Sequence, residues 1–189
     1  MLKKKLLQRG FSFIETMVAM SLLMVSIAVV VTILRADIAV SSVSENAVTS
    51  RFLAQEGIEY SRHVRDSHLI DFHKTKDPSI LWLGTLEACF DNSCVIDTAD
   101  PSSVIVTSCS AEGCPSLKYN KIKNRYGYGS GTEWEETSFV REIEITNPNG
   151  GVMDSEASEA IVTVRVVWKE RNNFEKKILY QQSLFNWIK

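Results

Sequence analysis

Phe11-Ser-Phe-Ile-Glu-Thr-Met-Val-Ala-Met-Ser-Leu-Leu-Met-Val-Ser-Ile-Ala-Val-Val-Val-Thr-Ile-Leu34 is a run of 24 residues with one charged side chain, Glu15. As a helix it would extend about 36 Å at a rise of ~1.5 Å per residue, enough to cross a hydrocarbon core of ~30 Å. Residues 16–34 hold 15 apolar side chains out of 19 and no charge. Before the run stand Lys3, Lys4, Lys5 and Arg9 with no acid among them. That flank predicts a cytoplasmic N-terminus, with residues after about 35 facing outward.

The whole chain hides this segment in its averages. It has 189 residues, 44% hydrophobic and 23% charged, with 21 basic and 23 acidic side chains and a formal net charge of −2. Ample apolar content with small net charge excludes a disordered chain. The acidic excess argues against a nucleic-acid binder, so nucleic acid is not an expected partner. Mean hydropathy is −0.05, the average of an apolar N-terminus and a polar, strand-like remainder.

A cleaved secretory signal would end in a small-residue A-x-A site, which Arg35-Ala36-Asp37-Ile38-Ala39 lacks. A plain signal anchor fits the length and the flank but leaves Glu15 unexplained. On insertion scales a carboxylate at the middle of a bilayer costs about 2.5–3.5 kcal/mol, so it calls for a partner or a function.

Arg9-Gly10-Phe11-Ser12-Phe13-Ile14-Glu15 resembles the processing motif of type IV prepilins and of the pseudopilins of type II secretion. The resemblance implies that a prepilin peptidase/N-methyltransferase cuts between Gly10 and Phe11 and methylates Phe11. It implies further partners: other pilin subunits and an inner-membrane assembly platform. Glu15 would become the fifth residue of the mature chain. Gly10 suits such a cut because a backbone without a side chain fits closely into a protease groove. Cutting removes four positive charges and leaves an ammonium that can pair with Glu15 of a neighbouring copy. Many major pilins carry Pro about 22 residues after the cut; Thr32 stands there, a departure that favours a minor subunit or a pseudopilin. Phe52-Leu-Ala-Gln-Glu-Gly-Ile-Glu59 also resembles a stretch of minor pilins of the pilus-modification, PilV-like type.

Beyond the apolar run, no Pro precedes Pro78 and no Gly separates Gly10 from Gly57. At 100° per residue Ile33, Ala36, Val40, Val43, Ala47, Ala54 and Ile58 share one stripe, opposite Asp37, Ser41, Glu45, Arg62 and Arg65. One helix from about 11 to about 65 is predicted, its second half amphipathic. Gly57 costs about 1 kcal/mol relative to Ala within a helix, which points to a strand backbone passing close. Ala19, Ser21, Ser26 and Ala28 read as small residues tolerated in a membrane helix.

From Ser67 the pattern becomes strands and turns. Residues 139–145 and 160–168 alternate, and a third run at 177–187 completes the antiparallel meander that they predict. Its connections, Asn147–Glu159 and Lys169–Phe174, hold turn formers including Asn149-Gly150 and Asn172-Asn173. With one long helix on one face, this is an α+β fold, the roll that the pilin resemblance also implies. The organisation expected is a leader over 1–10, a transmembrane assembly helix over 11–34, its amphipathic continuation over 35–66, and an extracytoplasmic domain over 67–189.

Cys89, Cys94, Cys109 and Cys114 lie in the part placed outside the membrane, where an even count reads as two disulfides. Two C-x4-C spacings depart from zinc knuckles. Local pairing, 89–94 with 109–114, and nested pairing around a hairpin turning at Pro101-Ser102 both fit. Nesting would need a bulge, because a spacing of five puts Cys89 and Cys94 on opposite faces of a strand.

His63, His68 and His73 are spaced by five, which rules out an i, i+4 metal pair on a helix. Gly127-Tyr-Gly-Ser-Gly131 reads as a loop, with no strand before it and no helix N-terminus after it. Trp82, Trp134, Trp168 and Trp187 read as core and sheet packing. Tyr119, Tyr126 and Tyr128 with Lys118, Lys121, Lys123 and Arg125 read as a solvated loop. No catalytic, cofactor-binding or metal constellation is found, so an enzyme is not expected. The function expected is a minor pilin-like structural subunit in the inner membrane and then in an extracellular filament. A type II secretion pseudopilin and a signal-anchored binding module that does not polymerise are the alternatives.

Overall fold

The computed structural model describes residues 10–77, 79–99, 105–154, 157–170 and 173–187, without the side chains of Ala36 and Ala39. Lys3, Lys4, Lys5 and Arg9 of the expected leader and Pro101-Ser102 of the expected hairpin turn lie outside the described residues, as does Asn172. The chain divides into two compact units, Met1–Glu45 and Asn46–Lys189.

Helix α1 covers Phe13–Thr75, ten residues past the end expected near 65. In the first unit its side chains are exposed throughout Phe13–Arg35. In the second unit the buried positions are Ser50, Leu53, Ala54, Gly57, Ile58, Ser61 and Val64, a 3.6-residue period that Leu69 continues beyond the expected change at Ser67. The helix closes with an Lys76 N–H to Phe72 carbonyl bond of 2.7 Å, and Lys76 turns into the left-handed region at φ 55°. Arg65, expected on the wet side, has a side chain only 12% exposed and pairs with Asp66 at 2.7 Å.

The second unit lays this half-helix on a seven-stranded sheet whose named strands all pair antiparallel. A 3₁₀ turn at Gly84–Cys89 leads to strands β1 (Cys94–Asp97), β2 (Ile105–Ser108), β3 (Ser116–Asn120) and β4 (Arg125–Gly127). The expected meander follows as β5 (Trp134–Thr146), β6 (Glu159–Lys169) and β7 (Glu175–Phe185). β5 is the axis. One edge pairs β6 from Val140 opposite Val167 to Thr146 opposite Ile161. The other edge pairs β3 along its first half and β1 at Ile143 opposite Cys94.

Alternation decides which side is core. Phe139, Arg141, Ile143 and Ile145 of β5 face inward beside Ala160, Val162, Val164, Val166 and Trp168 of β6. Each aliphatic side chain so buried contributes about 1.5–3 kcal/mol. Gly57 lets the helix settle on this face. A Cβ there would stand 3.0 Å from Val164 Cγ1 and 3.4 Å from Ile143 Cδ1. The neighbours are therefore strand side chains, where a strand backbone was expected.

Candidate functional site

The N-terminal segment begins outside the helix. Gly10, Phe11 and Ser12 are non-helical and exposed, and a Cβ on Gly10 would meet nothing within 4 Å. The first helical amide bond runs from Thr16 N–H to the Ser12 carbonyl at 3.2 Å. Glu15 therefore sits in the first turn, where the positive end of the helix dipole favours a carboxylate. The hydroxyls inside the helix over residues 13–34 are satisfied by its own backbone: Thr16, Ser21, Ser26 and Thr32 donate to the Phe13, Val18, Leu23 and Val29 carbonyls at 2.7–2.8 Å. Among the described residues Glu15 has no such partner. Helix α1 contains a stretch long and apolar enough to cross a membrane.

Residues 5–31 match a family model described as the prokaryotic N-terminal methylation motif. Over those residues the chain is similar to the N-terminal signal of type IV pilin and pseudopilin precursors. Proteins with this motif are structural subunits, and the motif implies processing by prepilin peptidase and assembly with pilins. No curated protein and no solved structure matches the chain.

The four cysteines pair locally, Cys89 with Cys94 and Cys109 with Cys114. The nested alternative fails on register. Cys94 stands opposite Ser108 in the β1–β2 hairpin, so Cys109 lies one residue past the position facing Cys94. Asp91 at φ 53° folds the 89–94 loop back on itself. Its amide donates to the Ile145 carbonyl at 2.9 Å and its carboxylate accepts from Met153 N–H at 2.6 Å.

The pairing that joins helix to sheet is one that sequence reading missed. Arg141 is fully buried. Its Nη1 donates to Glu56 Oε2 at 2.6 Å and the Leu53 carbonyl at 3.3 Å. Its Nη2 donates to the Ile96 carbonyl at 2.8 Å and Thr98 Oγ1 at 3.4 Å. One guanidinium thus ties α1, β5 and β1 together. The signal was present: Arg141 alternates in phase with Phe139, Ile143 and Ile145. Burial pushes the nearby Tyr128 phenol up to about 12, against the opposing pull of the Arg141 charge.

The other predicted features divide. Lys118 pairs with Glu136 at 2.8 Å, Lys121 with Glu135 at 3.1 Å, and Arg125 donates to the Ala99 carbonyl at 2.8 Å. Two of the four cations of the basic-aromatic segment are therefore paired with acids, and the hydrogen bond from Lys118 holds the Glu136 carboxyl below its usual range. A strand, β4, does precede the glycine-rich loop, contrary to expectation. Gly129 leaves room for the Trp134 ring, which would lie 2.3 Å from a Cβ. Trp82 and Trp168 are core residues, whereas Trp187 is 70% exposed. His68 lies over Gly84, and His63 and His73 make edge contacts with Tyr60 and Phe72. Among the described residues no His, Cys, Asp and Glu group is placed to hold a metal.

Proposed function

We propose that this chain is a minor pilin-like subunit of a bacterial type IV pilus or related filament. It is inserted in the inner membrane with Lys3, Lys4, Lys5 and Arg9 in the cytoplasm, cut between Gly10 and Phe11, and methylated at Phe11. The observation that carries the reading is the isolation of Glu15. The hydroxyls of Thr16, Ser21, Ser26 and Thr32 are each satisfied by the helix itself, so the Glu15 carboxylate is the charged group of the span that calls for an outside partner. The new ammonium at Phe11 of a neighbouring subunit supplies it. Such a pair acts mainly through the cost of leaving either charge alone in hydrocarbon.

In this reading residues 1–10 are the leader, 11–34 the assembly helix, 35–66 its amphipathic continuation, and 67–189 the outward domain. Thr32 in place of proline equally suits a type II secretion pseudopilin, which uses the same cut and the same charge pair in a different machine.

The test is Glu15→Leu in the native host, followed by fractionation and mass spectrometry of the mature N-terminus. Insertion, cleavage and a methylated Phe11 are expected to persist while the variant disappears from sheared filaments. Normal incorporation would remove Glu15 from the mechanism. A wild-type chain that keeps Met1 and stays in the membrane would instead be a signal-anchored module that does not polymerise.

A further inference from the structure

The two disulfides close loops of identical sequence separation, five residues each, in opposite environments. Cys89 and Cys94 have no exposed surface and belong to the core with Leu86, Ile96 and Ile143. Their loop is clamped to the sheet by the Asp91 bonds to Ile145 and Met153 and by a bridge between Phe90 and Ile145. A thiol reaches that bridge only if the core opens.

Cys109 and Cys114 are half-buried, and everything between them, Ser110 to Gly113, is exposed, as is Pro115. The loop's other bonds are its own. Gly113 N–H donates to the Ser110 carbonyl at 3.0 Å, and the Ser110 hydroxyl donates to the Gly113 carbonyl at 3.2 Å. Among the described residues its hydrogen bond outside the loop is the Cys109 N–H to Ser93 carbonyl bond of 2.9 Å, beside the β1–β2 pairing. Opening this disulfide therefore disturbs no core packing. Two open clefts of about 750 and 360 Å³ flank the loop; Cys114 lines both, and Cys109 only the smaller.

We propose that the Cys109–Cys114 bridge is a thiol–disulfide exchange site for small thiols of the glutathione class, and that Cys89–Cys94 is inert under the same conditions. A thiolate attacks Cys114 Sγ, forming a mixed disulfide and breaking the Cys109–Cys114 bond. The electron pair leaves on Cys109 Sγ, which takes a proton from water. A second thiol attacks the mixed disulfide, so two thiols are oxidised to one disulfide as the bridge is reduced to two cysteines. Access governs such exchange as much as thiol basicity.

The test uses the full chain in detergent micelles with graded glutathione, acid quenching, alkylation and mass spectrometry after digestion at glutamate. Cleavage after Glu112 separates Cys109 from Cys114. Cys109 and Cys114 should be labelled at least about tenfold faster than Cys89 and Cys94, with the first adduct on Cys114 and the fluorescence of buried Trp82 and Trp168 unchanged. Equal rates, earlier opening of Cys89–Cys94, a first adduct on Cys109, or fluorescence lost in step with labelling would each overturn the proposal. A Cys109→Ser/Cys114→Ser variant provides the control: it should fold and take up no label at the glutathione level that opens the wild-type bridge. If this variant fails to fold, the loop is structural and the proposal falls.

Discussion

Replacing Glu56 with Gln should destabilise the second unit more than replacing its partner Arg141 with Met. Arg141 has no exposed surface, whereas the Glu56 side chain is 38% exposed. Glu56→Gln strands a buried guanidinium on the Leu53, Ile96 and Thr98 oxygens. Breaking a buried ion pair from one side costs about 3–5 kcal/mol, and the wet edge of Glu56 brings the expected loss down to about 2–3 kcal/mol. Arg141→Met removes the charge, keeps the volume, and lets Glu56 rehydrate. It leaves the Ile96 carbonyl as the main orphan, a loss of about 1–2 kcal/mol. The double variant should resemble Arg141→Met alone, because no cation remains to be stranded. Denaturant unfolding of the full chain in micelles, followed by Trp82 and Trp168 emission, measures all three. If Arg141→Met costs more than Glu56→Gln, or the two losses simply add, the guanidinium is not the group that makes this pair necessary.

Further expectations follow from the same packing. Gly57→Leu should cost about 2–3 kcal/mol by overpacking against Val164 and Ile143, and Val164→Ala in the same chain should recover part of it in the same unfolding assay. Tyr128 holds its proton more tightly folded, at about 12, than unfolded, at about 10. Its contribution to stability is therefore fully present below pH 10 and lost as pH rises from there towards 12; Tyr128→Phe should flatten that part of the unfolding profile. Each disulfide closes a loop of equal span and contributes about 2 kcal/mol by chain entropy. Cys89→Ala/Cys94→Ala should nevertheless lower the thermal midpoint more than Cys109→Ala/Cys114→Ala, because only the first pair sits in the core.

The long helix and the meander were legible because their patterns run on: seven buried positions from Ser50 to Val64 at helical spacing, and the alternation of β5 from Phe139 to Ile145, echoed less strictly in β6. The strands β1–β4 were not, since three to five residues each carry too little pattern to separate strand from turn. The acids that pair with Lys118 and Lys121 are Glu136 and Glu135, 18 and 14 residues along the chain, brought close by β3 pairing with β5. No local reading finds them. Glu15 stood out for the opposite reason, as a charge where hydrocarbon tolerates none. Arg141 was just as anomalous in its strand, but a cation among β-branched neighbours passes for an outward-facing residue until the phase of the alternation is fixed.

The Arg141 linkage also has a mechanical side. It grips α1 at Leu53 and Glu56, in the middle of the packed half-helix, and fastens it to two strands at once. Traction along the helix axis would reach β1 and β5 as shear across several bonds loaded together. Peeling from the end breaks bonds one after another, so a domain hauled by its helix gains most from an anchor set this far along it.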